Sequence, residues 1–173
     1  MMTEFTAANA GGAISFREKL AGSQAFSHLF RDGMALVEET AAYLDGPGRR
    51  ESKALARNGA LTYATESMRL TTRLMQLASW LLLHRAVKEG EMSLSQVNQE
   101  KTKVKLSPTF SADEETLALL PDTLVDLIRR SLVLADQVRR LDATIHAPAD
   151  EGPQVMHNPV ERQLGLLKAA FES

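Results

Sequence analysis

The sequence predicts an all-α protein: a three-helix bundle with one long central helix, a flexible N-terminus and a C-terminal tail. Apolar residues recur every three or four positions over three long stretches, which places them on one face of a helix. Gly46 with Pro47 follows the first stretch and Gly90 follows the second, and helices commonly end at such residues. Only one segment alternates like a β-strand, and a single strand has no sheet to join.

The first long helix is predicted to begin after Ser23 and to end near Leu44. The Ser23 hydroxyl can accept a hydrogen bond from an amide that the first turn leaves unpaired. The predicted buried face has spacings of four, three, four, four and three residues. Its members are Phe26, Phe30, Gly33, Val37, Ala41 and Leu44.

The second helix is predicted from about residue 49 to Glu89, with a bend or interruption at Asn58 and Gly59. A first apolar stripe contains Leu61, Ala64, Met68, Thr71, Met75, Ala78, Leu82 and Ala86, and a second contains Leu70, Leu74, Leu77 and Leu81. One neighbouring helix cannot cover both stripes. At roughly 40 residues this helix would extend about 20 Å beyond the other two. We therefore expect a homodimer to cover the remaining apolar surface.

The third helix has the most regular heptad pattern of the chain. Its apolar positions are Leu120, Leu124, Leu127, Ser131, Leu134, Val138, Leu141 and Ile145. Pro121 suits the first turn, because the amide that proline lacks needs no partner there. Capping boxes at residues 93–96 and 111–114 predict two short helices before it, separated by an extended connector over residues 101–110.

Composition divides the chain into three parts: a flexible N-terminus (1–13), the helical bundle (14–146) and a flexible tail (147–173). The tail ends in a short amphipathic helix that follows Asn158 and Pro159. Its apolar side consists of Val160, Leu164, Leu167 and Phe171. A helix of about 13 residues is marginal in water, so this segment is expected to dock on another surface.

The residues that carry chemistry form no recognisable constellation. The chain has no cysteine, which excludes disulfides, thiolate metal sites and cysteine nucleophiles. The carboxylates lack the Glu-x-x-His spacing of di-iron bundles. His28, His84, His146 and His157 show no pair at ligand spacing, so surface or boundary positions are expected for them. We therefore predict no catalytic residue, no cofactor and no metal site.

Four residues of the second helix align at three-to-four spacing and form the predicted partner-binding patch. They are Arg69, Arg73, Gln76 and Trp80. Arginine and tryptophan are enriched among the residues that carry binding energy at interfaces. The alternatives are a solvated face for the arginines and a core or dimer-interface position for Trp80.

Two other functions remain as alternatives. His84 on a long helix suggests a histidine phosphotransfer protein, although Lys88 and Gly90 lie farther downstream than in such domains. Eight basic and three acidic residues between Arg49 and Glu89 suggest a DNA-associated regulator. A net charge of -2 argues against nucleic acid as a partner. The absence of a signal-peptide pattern and of a long apolar run predicts a cytoplasmic protein without membrane insertion.

Three segments carry a resemblance to a known family. They are GMALVEETAAYLDGPGR (33–49), YATESMRLTTRLMQLASWLLLHRAVKEGEM (63–92) and LPDTLVDLIRRSLVLADQVRRLD (120–142). Over about residues 16–142 the chain resembles the RcdA family, regulators of CtrA degradation in alphaproteobacteria. The resemblance implies a dimeric, non-enzymatic adaptor that joins cell-cycle regulators such as CtrA to the ClpXP protease, often at a cell pole. It also implies that a CpdR-like receiver-domain protein primes ClpX and that the flexible tail takes part in these contacts.

Overall fold

A computed structural model of the protein describes residues 24–101, 106 and 111–146. Every regular element within these residues is a helix, so the predicted all-α class is confirmed. In chain order the helices are α1 (Gln24–Asp45), α2 (Pro47–Lys53), α3 (Arg57–Lys88), α4 (Leu94–Lys101), α5 (Glu114–Leu117) and α6 (Asp122–Ile145). The three long helices α1, α3 and α6 form the bundle.

The helix α1 runs antiparallel to the other two long helices. Lys88 near the end of α3 donates from Nζ to Oγ of Ser27 near the start of α1, at 2.6 Å. Arg130 in the first half of α6 pairs with Glu39 in the last two turns of α1. Both ends of the described chain therefore lie at the same end of the bundle.

The helices α3 and α6 run parallel. Arg73 contacts Ser131 in the middle of both helices, and Trp80 contacts Asp142 farther along both. The chain between them must return along the bundle, over about 36 Å for the 24 residues of α6. The short helices α4 and α5 belong to this return link.

The core lies between the three long helices. The second predicted stripe of α3, Leu70, Leu74, Leu77 and Leu81, is buried there. Buried residues of the other two helices complete it, among them Phe26, Leu29, Leu36, Leu124, Leu127, Ile128, Leu134 and Val138. Each fully buried side chain of this kind contributes about 1.5–3 kcal/mol, so these contacts hold the bundle together.

The buried face of α1 differs from the prediction by part of a turn. It consists of Phe26, Leu29, Gly33, Leu36, Thr40 and Tyr43, which alternate spacings of three and four. Phe26 and Gly33 are placed as expected, whereas the predicted member Ala41 is exposed. The Cβ of any larger residue at Gly33 would lie 2.6 Å from Cδ1 of Leu81, so the glycine permits a close approach of α1 and α3.

The predicted second helix is interrupted earlier than expected. The break lies at residues 54–56, where Ala56 has an extended backbone, and Asn58 and Gly59 lie inside α3. Tyr43 Oη donates to Oε2 of Glu51 at 2.5 Å and ties α2 to the end of α1. Burial, followed by this hydrogen bond, raises the pKa of Tyr43. With 32 residues, α3 extends only about 12 Å beyond the length of α6.

Several helix ends follow the predicted signals. Gly90 has a left-handed backbone, with φ 76°, and ends α3 as expected. Pro47 begins α2 directly after Gly46. The amide of Ser93 donates to Gln96 Oε1 at 2.9 Å, and the amide of Gln96 donates to Ser93 Oγ at 3.2 Å, so the first capping box is confirmed.

The second predicted capping box is wrong by two residues. Asp113 caps α5 instead of Ser111, and its Oδ1 accepts a hydrogen bond from the amide of Thr116 at 2.8 Å. A hydrogen bond from the side chain of Thr116, followed by this bond from its amide, lowers the pKa of Asp113. Pro121 occupies the cap position of α6 instead of its first turn.

Some predictions fall on residues outside the described ones. They are the cap at Ser23, the segment 1–13, nearly all of the connector 101–110, and the tail 147–173 with its amphipathic helix. The three-part division of the chain therefore stays a prediction. Among the described residues, no helix is both long enough and apolar enough to cross a membrane.

Candidate protein-binding surface

The first predicted stripe of α3 lies on the outside of the bundle. Leu61, Met68, Met75 and Leu82 recur every seven residues and are 62, 71, 66 and 54% exposed. Small residues lie between them. We define the outer face of α3 as Leu61, Ala64, Thr65, Met68, Thr71, Thr72, Met75, Ala78, Ser79 and Leu82.

No residue of the outer face of α3 carries a charge. Three of its four hydroxyl groups bond to the helix itself, since those of Thr65, Thr71 and Ser79 each donate to a carbonyl oxygen four residues earlier. The face therefore presents mainly methyl groups, methylenes and thioethers over about 32 Å of helix. Monomeric proteins rarely leave so long an apolar surface uncovered.

The predicted patch on α3 passes from the surface into the core. Arg69 is exposed, with Nη1 2.8 Å from Oε1 of the buried Glu66. Arg73 and Gln76 are half-buried. The Nη1 group of Arg73 donates to Oγ of Ser131 at 2.7 Å. Burial lowers the pKa of Arg73, and nearby Glu66 opposes that shift.

Trp80 lies in the core and is only 2% exposed. Its ring stacks on His84 with the centroids 3.9 Å apart and tilts against Phe26 at 6.2 Å. Its Nε1 donates to Oδ1 of Asp142 at 2.8 Å. Trp80 therefore occupies a core position, which was one of the two alternatives predicted for it. Of the four residues of the predicted patch, Arg69 is the one that is exposed.

His84 is fully buried, so the expectation of a surface or boundary position is wrong for this residue. Its Nδ1 lies 2.9 Å from the carbonyl oxygen of Trp80, and its Nε2 lies 2.8 Å from Nε2 of His146. A phosphotransfer histidine must offer a ring nitrogen to a partner domain. The burial of His84 removes the basis of that alternative.

The contact between His84 and His146 was missed in the sequence. The two residues are 62 positions apart in the sequence. Their contact can be inferred only when α3 and α6 are known to be parallel and in this register. One local signal was present, because Asp142 and His146 are four residues apart and share one side of α6.

Three of the eight basic residues between Arg49 and Glu89 form ion pairs with acids. Arg49 pairs with Asp45, Arg69 with Glu66, and Arg85 with Glu89. Arg73 is half-buried against α6. These contacts reduce the local positive charge that suggested a DNA-associated regulator.

A groove of about 470 Å³ lies between the start of α1 and the end of α6. It is lined by Ala25, His28, Leu29, Asp32, Gln137, Arg140, Leu141 and Thr144. In a three-helix bundle, the groove between two helices points away from the outer face of the third. The groove and the outer face of α3 can therefore be occupied at the same time.

Residues 17–171 match the sequence model of a family described as a protein of unknown function, DUF1465. The chain is also similar to the crystal structure of RcdA from Caulobacter crescentus CB15, with 49% identity and a TM-score of 0.63 over 76% of this chain and 99% of that chain. This chain belongs to the RcdA family. The resemblance predicted from the three segments is thereby confirmed. No curated protein matches.

The RcdA-like fold points to a non-catalytic regulator with a role in protein interaction. The outer face of α3 agrees with such a role, because it offers apolar contact area without a group that could perform chemistry.

Proposed function

We propose that this RcdA-family chain is a non-enzymatic adaptor that delivers cell-cycle regulators such as CtrA to the ClpXP protease in the cytoplasm. The observation that carries the proposal is the 49% identity to RcdA over 99% of that chain. An adaptor of this kind acts by tethering, because it raises the concentration of the cargo near the protease. Recruitment to a cell pole belongs to the same proposal.

The outer face of α3 supports a second copy of this chain as its occupant. Its residue types read nearly the same in both directions about a centre between residues 71 and 72. Antiparallel pairing about that centre brings Leu61 opposite Leu82 and Met68 opposite Met75. Such a face is complementary to itself, which is the requirement of a two-fold dimer.

The side chains between the large residues favour close pairing of the two helices. Alanine, serine and threonine occupy these positions, so the leucines and methionines of one copy can insert between those of the other. The hydroxyl groups of Thr65, Thr71 and Ser79 already bond to their own backbone and lose little when water is excluded.

Dimerisation through α3 leaves other surfaces for the remaining partners. The groove between α1 and α6 and the edge residues Arg69, Arg73 and Gln76 are assigned to cargo or to a CpdR-like receiver-domain protein. The tail supplies a tethered contact to ClpX or to cargo through the predicted helix. Its contacting residues are Val160, Leu164, Leu167 and Phe171.

Reconstituted degradation tests the adaptor role. Purified ClpXP, the cognate CpdR-like protein and a candidate cargo are assayed with the full chain, without it, and with a chain that lacks residues 147–173. We expect the full chain to accelerate loss of the cargo and the truncated chain to do so less. The adaptor role is refuted if the full chain leaves the rate unchanged in the presence of its priming protein.

A matched pair of substitutions tests whether a new carboxylate in the tail acts through its position on the apolar side or through its charge alone. Leu164→Glu places a carboxylate on the apolar side of the predicted helix, and Gln163→Glu places one beside it. We expect Leu164→Glu to slow degradation of the cargo and Gln163→Glu to leave it near the rate of the unmodified chain. Equal effects of the two substitutions would contradict a docking helix with this face.

A further inference from the structure

A cluster of two histidines and one aspartate lies where α3 and α6 end together. His84 is fully buried, and the side chains of His146 and Asp142 are 10% and 17% exposed. One ligand atom from each residue lies within 4.8 Å of the other two. Nε2 of His84 is 2.8 Å from Nε2 of His146, which lies 3.6 Å from Oδ1 of Asp142. These atoms converge on one small volume.

The surroundings of His84 fix the direction of its lone pair. The carbonyl oxygen of Trp80 can only accept a hydrogen bond, so Nδ1 of His84 carries the hydrogen and donates it at 2.9 Å. In the neutral ring, Nε2 is then an acceptor that points at His146. Histidine ligands of metals are commonly held in this way, with the distal nitrogen bonded to a carbonyl group.

Asp142 is oriented by a second neighbour. The indole Nε1 of Trp80 donates to its Oδ1 at 2.8 Å, while the ring of Trp80 stacks on His84. One tryptophan therefore positions two of the three converging groups. Asp142 and His146 are also four residues apart on α6, a spacing that places two metal ligands on one side of a helix.

We propose that His84, Asp142 and His146 bind a divalent transition-metal ion of the zinc type. Two ligand atoms of tetrahedral zinc are about 3.3 Å apart, since each zinc–nitrogen bond is about 2.0–2.1 Å. The distances of 2.8 and 3.6 Å lie on either side of this value, and the third pair of ligand atoms lies within 4.8 Å, so small movements of the side chains bring the three atoms to this spacing. Water supplies the fourth ligand, and the partial exposure of Asp142 and His146 gives the ion access.

The ligand set favours zinc, cobalt or nickel over magnesium or calcium. Imidazole nitrogens suit the former ions, whereas the latter prefer sites made only of oxygen. Binding requires a ring nitrogen of His146 without hydrogen, and the neutral ring can keep its proton on Nδ1. This proposal revises the sequence-based expectation of no metal site and is independent of the adaptor role.

Trp80 provides a direct readout, because it is the single tryptophan of the chain and stacks on His84. The untagged full-length protein, treated with a chelator and then dialysed, is titrated with Co²⁺ while tryptophan fluorescence is recorded. We expect saturable quenching at one equivalent, which Zn²⁺ reverses by competition. Zinc is also expected to raise the melting temperature in a concentration-dependent manner.

Three variants test the ligands. His146→Ala and Asp142→Asn each remove one ligand, and the asparagine can still accept the hydrogen bond from Trp80. His28→Ala is the matched control, because His28 is an exposed histidine on α1. We expect the first two to weaken binding at least about 100-fold and the control to bind like the unmodified chain.

Two outcomes overturn the metal site. One is unchanged tryptophan fluorescence and melting temperature of the unmodified chain in millimolar Co²⁺ or Zn²⁺. The other is equal binding by His146→Ala and by His28→Ala. Circular dichroism of each variant shows whether the helices remain folded, and Asp142→Asn replaces His146→Ala in the comparison if the latter unfolds.

Discussion

The outer faces of α3 and α6 are both exposed helix surfaces, yet they are built from opposite residue types. On α6, Arg130 pairs with Glu39 and Asp126, and Arg140 pairs with Asp136. The outer face of α3 has no charge and carries four large apolar side chains. Exposed ion pairs contribute little stability, about 0.2–1 kcal/mol each, so on α6 they mainly keep the surface hydrated. The contrast is the reason that the proposed dimer contact is placed on α3 and not on α6.

The largest expected effect is a loss of stability that distinguishes the buried side of α3 from its outer face. Leu74 is buried and its neighbour Met75 is 66% exposed. We expect Leu74→Ala to lower the free energy of unfolding by about 2–5 kcal/mol, because it leaves a cavity in the core. Met75→Ala should cost less, and its cost should grow with protein concentration if Met75 is buried in a dimer. Urea unfolding at several protein concentrations measures both.

The next effect tests the outer face of α3 against that of α6. Met75→Glu places a charge in the proposed dimer contact, whereas Val133→Glu places one at an apolar position that is 60% exposed on α6. We expect Met75→Glu to weaken dimerisation at least about 100-fold, since burying an unpaired charge costs several kcal/mol. Val133→Glu should leave the dimer intact. Sedimentation equilibrium measures the dissociation constants.

A rescue experiment then tests the antiparallel arrangement. Met68→Lys alone should also weaken dimerisation. Mixed with Met75→Glu, it should form a heterodimer, because the antiparallel pairing brings the lysine opposite the glutamate. Parallel pairing would place each charge opposite a methionine and give no rescue. Failure of the mixture to associate would therefore contradict the antiparallel pairing.

A smaller loss of stability is expected at Ser131 of α6, which contacts the inner side of α3, and it is compared with Ser79 on the outer face of α3. Ser131 of α6 accepts from Arg73 at 2.7 Å and donates to the carbonyl oxygen of Ile128. We expect Ser131→Ala to cost about 1.5–3 kcal/mol in thermal or urea unfolding, because it removes a hydrogen bond to a charged group. Ser79→Ala on the outer face should be nearly neutral for the monomer. Similar losses for both would contradict an internal role of the bond between Arg73 and Ser131.

The smallest effect concerns the ion pair between α1 and α6. The hydrogen bond from Arg130 lowers the pKa of Glu39 below its ordinary value of 4.5. The stability that the pair contributes is therefore present above that value and is lost as the pH falls through the lower pKa of the folded state. We expect Arg130→Ala to cost about 0.2–1 kcal/mol at neutral pH and less in acid or in high salt. Urea unfolding with and without salt, at neutral and acidic pH, measures the difference.

The sequence predicted the fold class and the two-sided character of the long helix, because heptad spacing and helix stop signals are local. It could not decide which stripe of α3 faces inwards. The stripe of Leu70 and Leu74 and the stripe of Met68 and Met75 are both apolar, and only the positions of α1 and α6 distinguish them.

The break in the predicted second helix had no clear local signal. Ala54, Leu55 and Ala56 are not helix breakers, whereas Asn58 and Gly59, where the bend was expected, lie inside α3. The break follows from packing, because α2 folds back on α1 through the bond between Tyr43 and Glu51. The cluster of His84 and His146 likewise depends on the parallel register of two helices that are distant in the sequence.

The antiparallel course of α1 relative to α6 has a practical consequence for experiments. Gln24 and His146 lie at the same end of the bundle, so residues 1–23 and 147–173 both join it there. Neighbouring chain ends of this kind make circular permutation feasible, with new termini opened in the return link. Ala25 and Thr144, close to Gln24 and His146, line the groove between α1 and α6. The exposed Lys53 at the opposite end is the better position for a label.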